Sequence, residues 1–444
     1  MEYNNDRDCF RFNFNTISFA MQRLTVFECI LIFILSVIII NESYAQDNRT
    51  TAIKISDNGH YFLDWEGRPF FWQGDTEWEL FRYFTAAEAK ALLIERKKQG
   101  FNVIQVMVNG VFPEWGSAKG MKAWNGLQAW KNSNPLTPDE NYYKRVDSIV
   151  AIADQLEIIL VMGVYHAKDF DAGRITVLNA KQWAVWIAKR YKYSKNIIYS
   201  MYPHADFASL PVIRTVVQGI LESDGGNHLI TMHPDPSPAS SSFIHTEFWL
   251  SFNTLQTWST DLMNYDMVRS DYVRLPLKPV VNGEARYEEE DGVTPFEVRR
   301  AGYWSYLAGG FYSYGHRDNW KSPQTWRNWY ATPGALQIKI MGDFFRSIDW
   351  WKIVHDQMIF EKWINGNVAA RSSDGEWIVA YLTDKEPVTI KLNSITASVY
   401  TVGWWINPLT GERIQIGTFA TSENRIFMIP EGWQDAILFL DGKF

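Results

Sequence analysis

Eight short apolar runs, each closed by a turn or a polar signal, alternate with helical stretches between residues 69 and 316. The runs are PFFWQGD (69–75), NVIQVMVNG (102–110), EIILVMGVYH (157–166), NIIYSMYPHAD (196–206), HLITMHPDP (228–236), WLSFNTLQTW (249–258), KPVVNGEARYE (278–288) and GGFYSYGH (309–316). The stretches between them are clearest at 86–100 and recur at 141–157, 180–192, 210–223 and 294–309. Each sets apolar residues three and four apart, with charges on the opposite face. Strand–helix alternation eight times over predicts a (β/α)8 TIM barrel of the α/β class. The barrel domain is assigned to residues 46–363 and opens on a hairpin with turns at Asp57-Asn58-Gly59 and Glu66-Gly67. Near Trp363 the period changes to two, with turns at Asn365-Gly366 and Asp374-Gly375. This predicts a small all-β sandwich over residues 364–444. DWWKIV (349–354) is expected to cement the junction.

Residues 1–45 read as an export signal, with Met21 as the true start. Arg23 supplies a positive n-region and Ile30–Ile40 an apolar stretch too short to span a bilayer. Ser43-Tyr44-Ala45 is a small-x-small cleavage site, so the mature chain is expected to begin near Gln46 and to be secreted or periplasmic. An uncleaved anchor is the alternative; after cleavage no membrane span is expected. Cys9 and Cys29 both precede that point, leaving no disulfide or thiol chemistry for the mature part. The formal charge of −7 makes nucleic acid a poor partner.

A barrel places its chemistry at the carboxyl ends of its strands. Those ends carry Asp75, Asn109, His166, His204 and Asp206, His233 and Asp235, Gln256 and Trp258, Glu284 and Arg286, and His316. Carboxylates, amides, histidines and indoles converging on one rim suit a polyhydroxylated neutral substrate. Aromatics make up 16% of the chain, and Trp78, Trp115, Trp258 and Trp320 are candidate platforms for sugar rings. Glycoside hydrolysis needs two carboxyl groups, one to protonate the leaving oxygen and one to attack or to activate water. Glu284 is the sharpest candidate, a lone acid where an apolar strand ends in Asn282-Gly283; the bland reading is a salt bridge to Arg286. Asp206 is the proposed partner, although it can equally cap the helix that follows, and His204 is its rival. Asp75 either binds sugar hydroxyls or caps a helix. Asn109, His166, His233, Gln256 and His316 are expected to line the pocket. The three strand-end histidines lack tight ligand spacing such as HxH, so neither a metal nor another cofactor is expected.

At these residues the chain resembles the apiosidase-like glycoside hydrolases, with their C-terminal module of collagen-binding type. The matching pieces include FFWQGDTEWELF (70–81), GFNVIQVMVNG (100–110), HPDPSPASSSFIH (233–245), FNTLQTW (252–258), VVNGEARYE (280–288) and GGFYSYGHRDNW (309–320). The resemblance implies a barrel O-glycosidase acting on plant cell-wall or related polysaccharides. It also implies Glu284 as a catalytic carboxylate and a catalytic acid after the fourth strand. Tyr202-Pro203-His204 stands where the family carries Gly-Gly-Asp, so either His204 or Asp206 takes the acid's place. That departure motivates a rival reading, a non-catalytic carbohydrate-binding protein on a degenerate barrel. A third, an adhesion protein, rests on the module's label alone.

Overall fold

The computed structural model describes residues 51–110, 125–202, 209–235, 239–258, 264–321, 323–362, 364 and 366–443. The expected signal segment, Trp115, His204 and Asp206 lie outside these residues.

Strands β1 (Ile53–Ile55), β2 (Phe62–Asp64) and β3 (Pro69–Phe70) form an antiparallel meander. Gly59 and Gly67 turn the chain at φ +76° and +85°, a region open to glycine without a Cβ penalty. Eight parallel strands follow: β4 (Gln73–Thr76), β5 (Val103–Met107), β6 (Ile159–His166), β7 (Ile197–Tyr202), β8 (Ile230–Met232), β9 (Asn253–Gln256), β10 (Val280–Glu284) and β11 (Phe311–Tyr314). They lie side by side in the order β8-β7-β6-β5-β4-β11-β10-β9. The seam between β8 and β9 is closed by Ser251 N–H donating to the Ile230 carbonyl at 2.8 Å and Thr231 Oγ1 donating to Phe252 O at 2.9 Å. Every residue of the eight strands is buried, as expected for a parallel sheet covered on both faces.

Seven long helices clothe the barrel: α1 (Ala86–Lys98), α2 (Glu140–Gln155), α3 (Ala180–Tyr191), α4 (Leu210–Asp224), α5 (Asn264–Tyr272), α6 (Pro295–Leu307) and α7 (Pro333–Arg346). Among the described residues the fifth crossover holds the single turn Ser241–Ile244. Two starts are set by capping boxes, Thr85 with Glu88 and Thr294 with Glu297, each satisfying orphan N–H groups of a first turn. Helices α5 and α7 lie outside the helical stretches read from the sequence.

The C-terminal module is a six-stranded antiparallel sheet in the order β12-β13-β14-β19-β16-β17, with a two-stranded β15-β18 ribbon. Its strands are β12 (Ile353–His355), β13 (Val368–Ser372), β14 (Trp377–Leu382), β15 (Val388–Lys391), β16 (Tyr400–Ile406), β17 (Arg413–Ala420), β18 (Asn424–Phe427) and β19 (Ala436–Asp441). One face of the large sheet shares a core with the barrel: Trp377, Val379 and Phe439 pack in one cluster with Met341, Phe344 and Phe345 of α7. Trp350 of the junction is buried in the same cluster. Arg299 of α6 completes the join with two hydrogen bonds to Asp435, at 2.8 and 2.7 Å.

Candidate active site

Period-two alternation along β10 sends Asn282 outward, where its amide meets Thr257 and Ser305 of α6. Gly283 then faces the barrel interior. A Cβ there would lie 2.7 Å from Thr254 Cγ2 and 3.3 Å from Gln105 Oε1, so only glycine fits without displacing them. Gln105 Nε2 donates to the Gly283 carbonyl at 2.5 Å and pins this peptide. Regular alternation would point Glu284 outward again. Instead the register against β9 shifts between Asn282 and Glu284, and this bulge turns the carboxyl into the mouth.

Among the described residues, four side chains meet that carboxyl. Tyr202, the last residue of β7, donates its hydroxyl to Glu284 Oε2 at 3.2 Å. His233, just past β8, places Nε2 at 3.2 Å from the same oxygen. Tyr287 donates to Glu284 while its hydroxyl accepts the Trp78 indole N–H at 2.6 Å. Gln256, opposite Glu284 across the β9–β10 ladder, donates its amide. Trp78, Met107 and Tyr202 form a small apolar cluster beside the acid, with Trp320 against it.

The electrostatics of Glu284 are set by opposition. Burial disfavours its anion and pushes the pKa up to about 7, against the hydrogen bonds from Tyr287, Tyr202 and Gln256 that favour the anion. His233 is held neutral, because burial pushes its pKa down to about 3. Its Nδ1–H donates to the Pro234 carbonyl at 3.0 Å, so Nε2 presents a lone pair to Glu284. A protonated Glu284 donates to that lone pair; an ionised one is held by the tyrosines and the amide. One carboxyl is thus provided with partners in both protonation states.

The structure therefore gathers Glu284, His233, Gln256 and Trp78 from the sequence candidates. It adds Tyr202 and Tyr287, to which sequence reasoning gave no role. His166 stands one layer back, its ring 5.4 Å from that of Tyr202 and its Nδ1 accepting the Lys168 N–H. Asn109 donates to Asp169 at 3.1 Å, and Trp258 is half-buried just beyond β9.

Two candidates go elsewhere. Asp75 points out of the barrel toward α1, fully buried and 2.6 Å from the Arg96 guanidinium. It is a structural ion-pair residue and does not reach the pocket. His316 also faces the helical layer: its ring stacks on Trp329 at 5.8 Å and its Nδ1 accepts the Asp318 N–H. In both cases the position along the strand is at the rim, but the pleat sends the side chain to the other face. Arg286 pairs with Glu297 at 3.3 Å. Among the described residues no group of three or more His, Cys, Asp or Glu is placed to hold a metal ion.

A family model described as "Apiosidase-like, catalytic domain" matches residues 56–352. The chain belongs to the apiosidase-like family. A second model, "Putative collagen-binding domain of a collagenase", matches residues 355–441. A solved structure titled a glycoside hydrolase family 5 from Bacteroides vulgatus is similar with a TM-score of 0.79 at 23% identity, over 88% of this chain and 93% of that one. Another, titled simply a glycoside hydrolase, has a TM-score of 0.76 at 22% identity, over 89% of this chain and 97% of that one. At such identities the likeness is one of fold: an apiosidase-like chain on a glycoside hydrolase framework, barrel and β module together. No curated relative matches the chain.

Proposed function

We propose that the protein hydrolyses O-glycosidic bonds in plant cell-wall or related polysaccharides, with Glu284 as one of two catalytic carboxyls. The observation that carries this reading is a buried glutamate at the barrel mouth onto which Tyr202, Tyr287 and Gln256 all direct donors. Three donors hold an anion, so Glu284 is assigned to attack the anomeric carbon or to activate water. The second carboxyl is assigned to Asp206, four positions beyond Tyr202 in the sequence, as the acid that protonates the leaving oxygen. Trp78, and His166 behind Tyr202, shape the pocket. Export through the segment ending near Ala45 would bring the enzyme to such substrates.

The reading has a pH signature. Glu284 must be ionised to act, and its pKa lies at about 7, so kcat/KM should rise with pH through that value rather than near the ordinary 4.5. Tyr287→Phe removes a donor that favours the anion. The pKa then climbs, and the acid limb should move up by about one unit. Hydrolysis profiles of the two proteins on arabinan, pectic galactan or xyloglucan check this. A limb that stays put, or moves down, removes Tyr287 from the machinery. Binding of these glycans by the unmutated protein with no release of sugar would favour the non-catalytic reading.

A further inference from the structure

A cleft of about 290 Å³ lies where the C-terminal sheet meets the end of α7, far along the chain from the barrel-mouth residues. Its floor is aromatic: Trp377 of β14, Trp404 of β16 and Phe439 of β19. These lie on the face of the sheet that elsewhere packs on the barrel. Val379 packs in one core with α7, while Phe439, paired with Trp404, and the neighbouring Trp377–Asp441 pair reach the cleft. The opposite wall is Ser347 and Asp349, just beyond α7.

Three features distinguish this cleft from an accidental seam. Trp377, almost wholly buried with its indole N–H unpartnered, backs the cleft. Trp404 stands half-buried at a bulge: the β16–β17 register shifts between Gly403 and Trp404, a device that re-aims a side chain. The charges around the rim are balanced, with Lys443 paired to Asp349 at 2.7 Å and Arg413 hydrogen-bonded to Ser347 at 3.1 Å.

We infer that this cleft is a second, non-catalytic glycan-binding site, accepting one or two rings of a neutral saccharide. The half-buried Trp404 indole can take the apolar face of a sugar ring, and an amphipathic ring of this kind suits a ligand that is apolar on one side and wet on the other. Paired acids and bases offer donors and acceptors to hydroxyls without a net field that would select an ion. The volume is at the lower end of ligand pockets, room for a short stretch of glycan. A collagen helix, three chains wound together, does not enter a cleft of this size. The site would hold a polymer close to the barrel without acting on it, raising its local concentration at the mouth.

The test uses the full chain carrying Glu284→Gln, so that no polymer is consumed, run on native gels containing arabinan, pectic galactan or xyloglucan. Retardation is expected in at least one gel, and Trp404→Ala should weaken it by about tenfold, the loss typical of a central aromatic anchor. Arg413→Ala, an exposed rim change that leaves the core intact, should weaken it to a smaller degree. In the otherwise unmutated enzyme, Trp404→Ala should leave kcat and KM on short oligosaccharides unchanged. Retardation that both variants retain, or none in any gel, overturns the inference. So does tight binding of type I collagen that Trp404→Ala abolishes. An inactive barrel that still shows the Trp404-dependent retardation would refute the hydrolase reading and leave this one standing.

Discussion

Glu284→Gln is expected to lower kcat on a genuine substrate by at least about a thousandfold while the protein remains folded. Glutamine keeps the shape and volume of the side chain, so Gly283, Gln105 and the bulge beneath it need not move. What it removes is the negative charge. Tyr202 and Tyr287 then direct their hydroxyls at a neutral amide, and no group remains at that point to attack the anomeric carbon or take a proton from water. Folding is checked by near-ultraviolet circular dichroism, and substrate binding by calorimetry, which should be preserved within a few-fold. If turnover persists at more than a tenth of the original rate, Glu284 is not the residue on which the reaction depends. A retaining enzyme, with the carboxylate as nucleophile, should release the substrate's own anomer first, and an inverting one, with it as base for water, the opposite anomer, read by proton NMR on the unmutated protein; Glu284→Ala should release neither.

The barrel was legible because its strands are buried on both faces and read as unbroken apolar runs between turns. Seven of the eight runs contain a barrel strand whole, and the first, 69–75, falls one residue short of the end of β4. Helix α5 was harder to see because NYDMVRSDY buries only a narrow side, including Asn264 and Asp271, whose polarity hides the pattern. The site was legible along the chain but not around the strand. A lone acid after Asn282-Gly283 marks a strand end, and Glu284 does end β10. Yet Asp75 and His316 sit at equivalent rims and face the helices, because direction depends on the phase of the pleat. A bulge at Glu284 reverses that phase, and no residue type announces it beyond the neighbouring glycine. Tyr202 and Tyr287 were passed over for a different reason. In an aromatic-rich chain a strand-end tyrosine reads as core; only the location of its hydroxyl reveals a donor.

The second large effect concerns stability and follows from the misplaced aspartate. Arg96 of α1 is fully buried between Asp75, at 2.6 Å, and Glu77, at 3.3 Å, with its guanidinium also donating to the Tyr330 carbonyl at 2.7 Å. Two carboxyls share one cation. Burial pushes both carboxyls up, Glu77 further because Asp75 lies beside it, and the Arg96 guanidinium opposes the rise at each, so the charge that Arg96 neutralises is drawn to Asp75. Arg96→Ala strands that charge in the interior and empties a space lined by Phe101, Tyr314 and Trp329. The expected loss is about 3–5 kcal/mol, measured as a fall in the urea midpoint. Replacing the whole group is a different matter, since a buried ion pair is often no better than an apolar filling of the same volume. Arg96→Met combined with Asp75→Asn should therefore recover much of what Arg96→Ala loses. Asp75→Asn by itself separates the two roles proposed for this residue. A structural aspartate gives a less stable enzyme whose KM at a permissive temperature is unchanged; a sugar ligand gives the reverse. A raised KM with full stability would return Asp75 to the pocket.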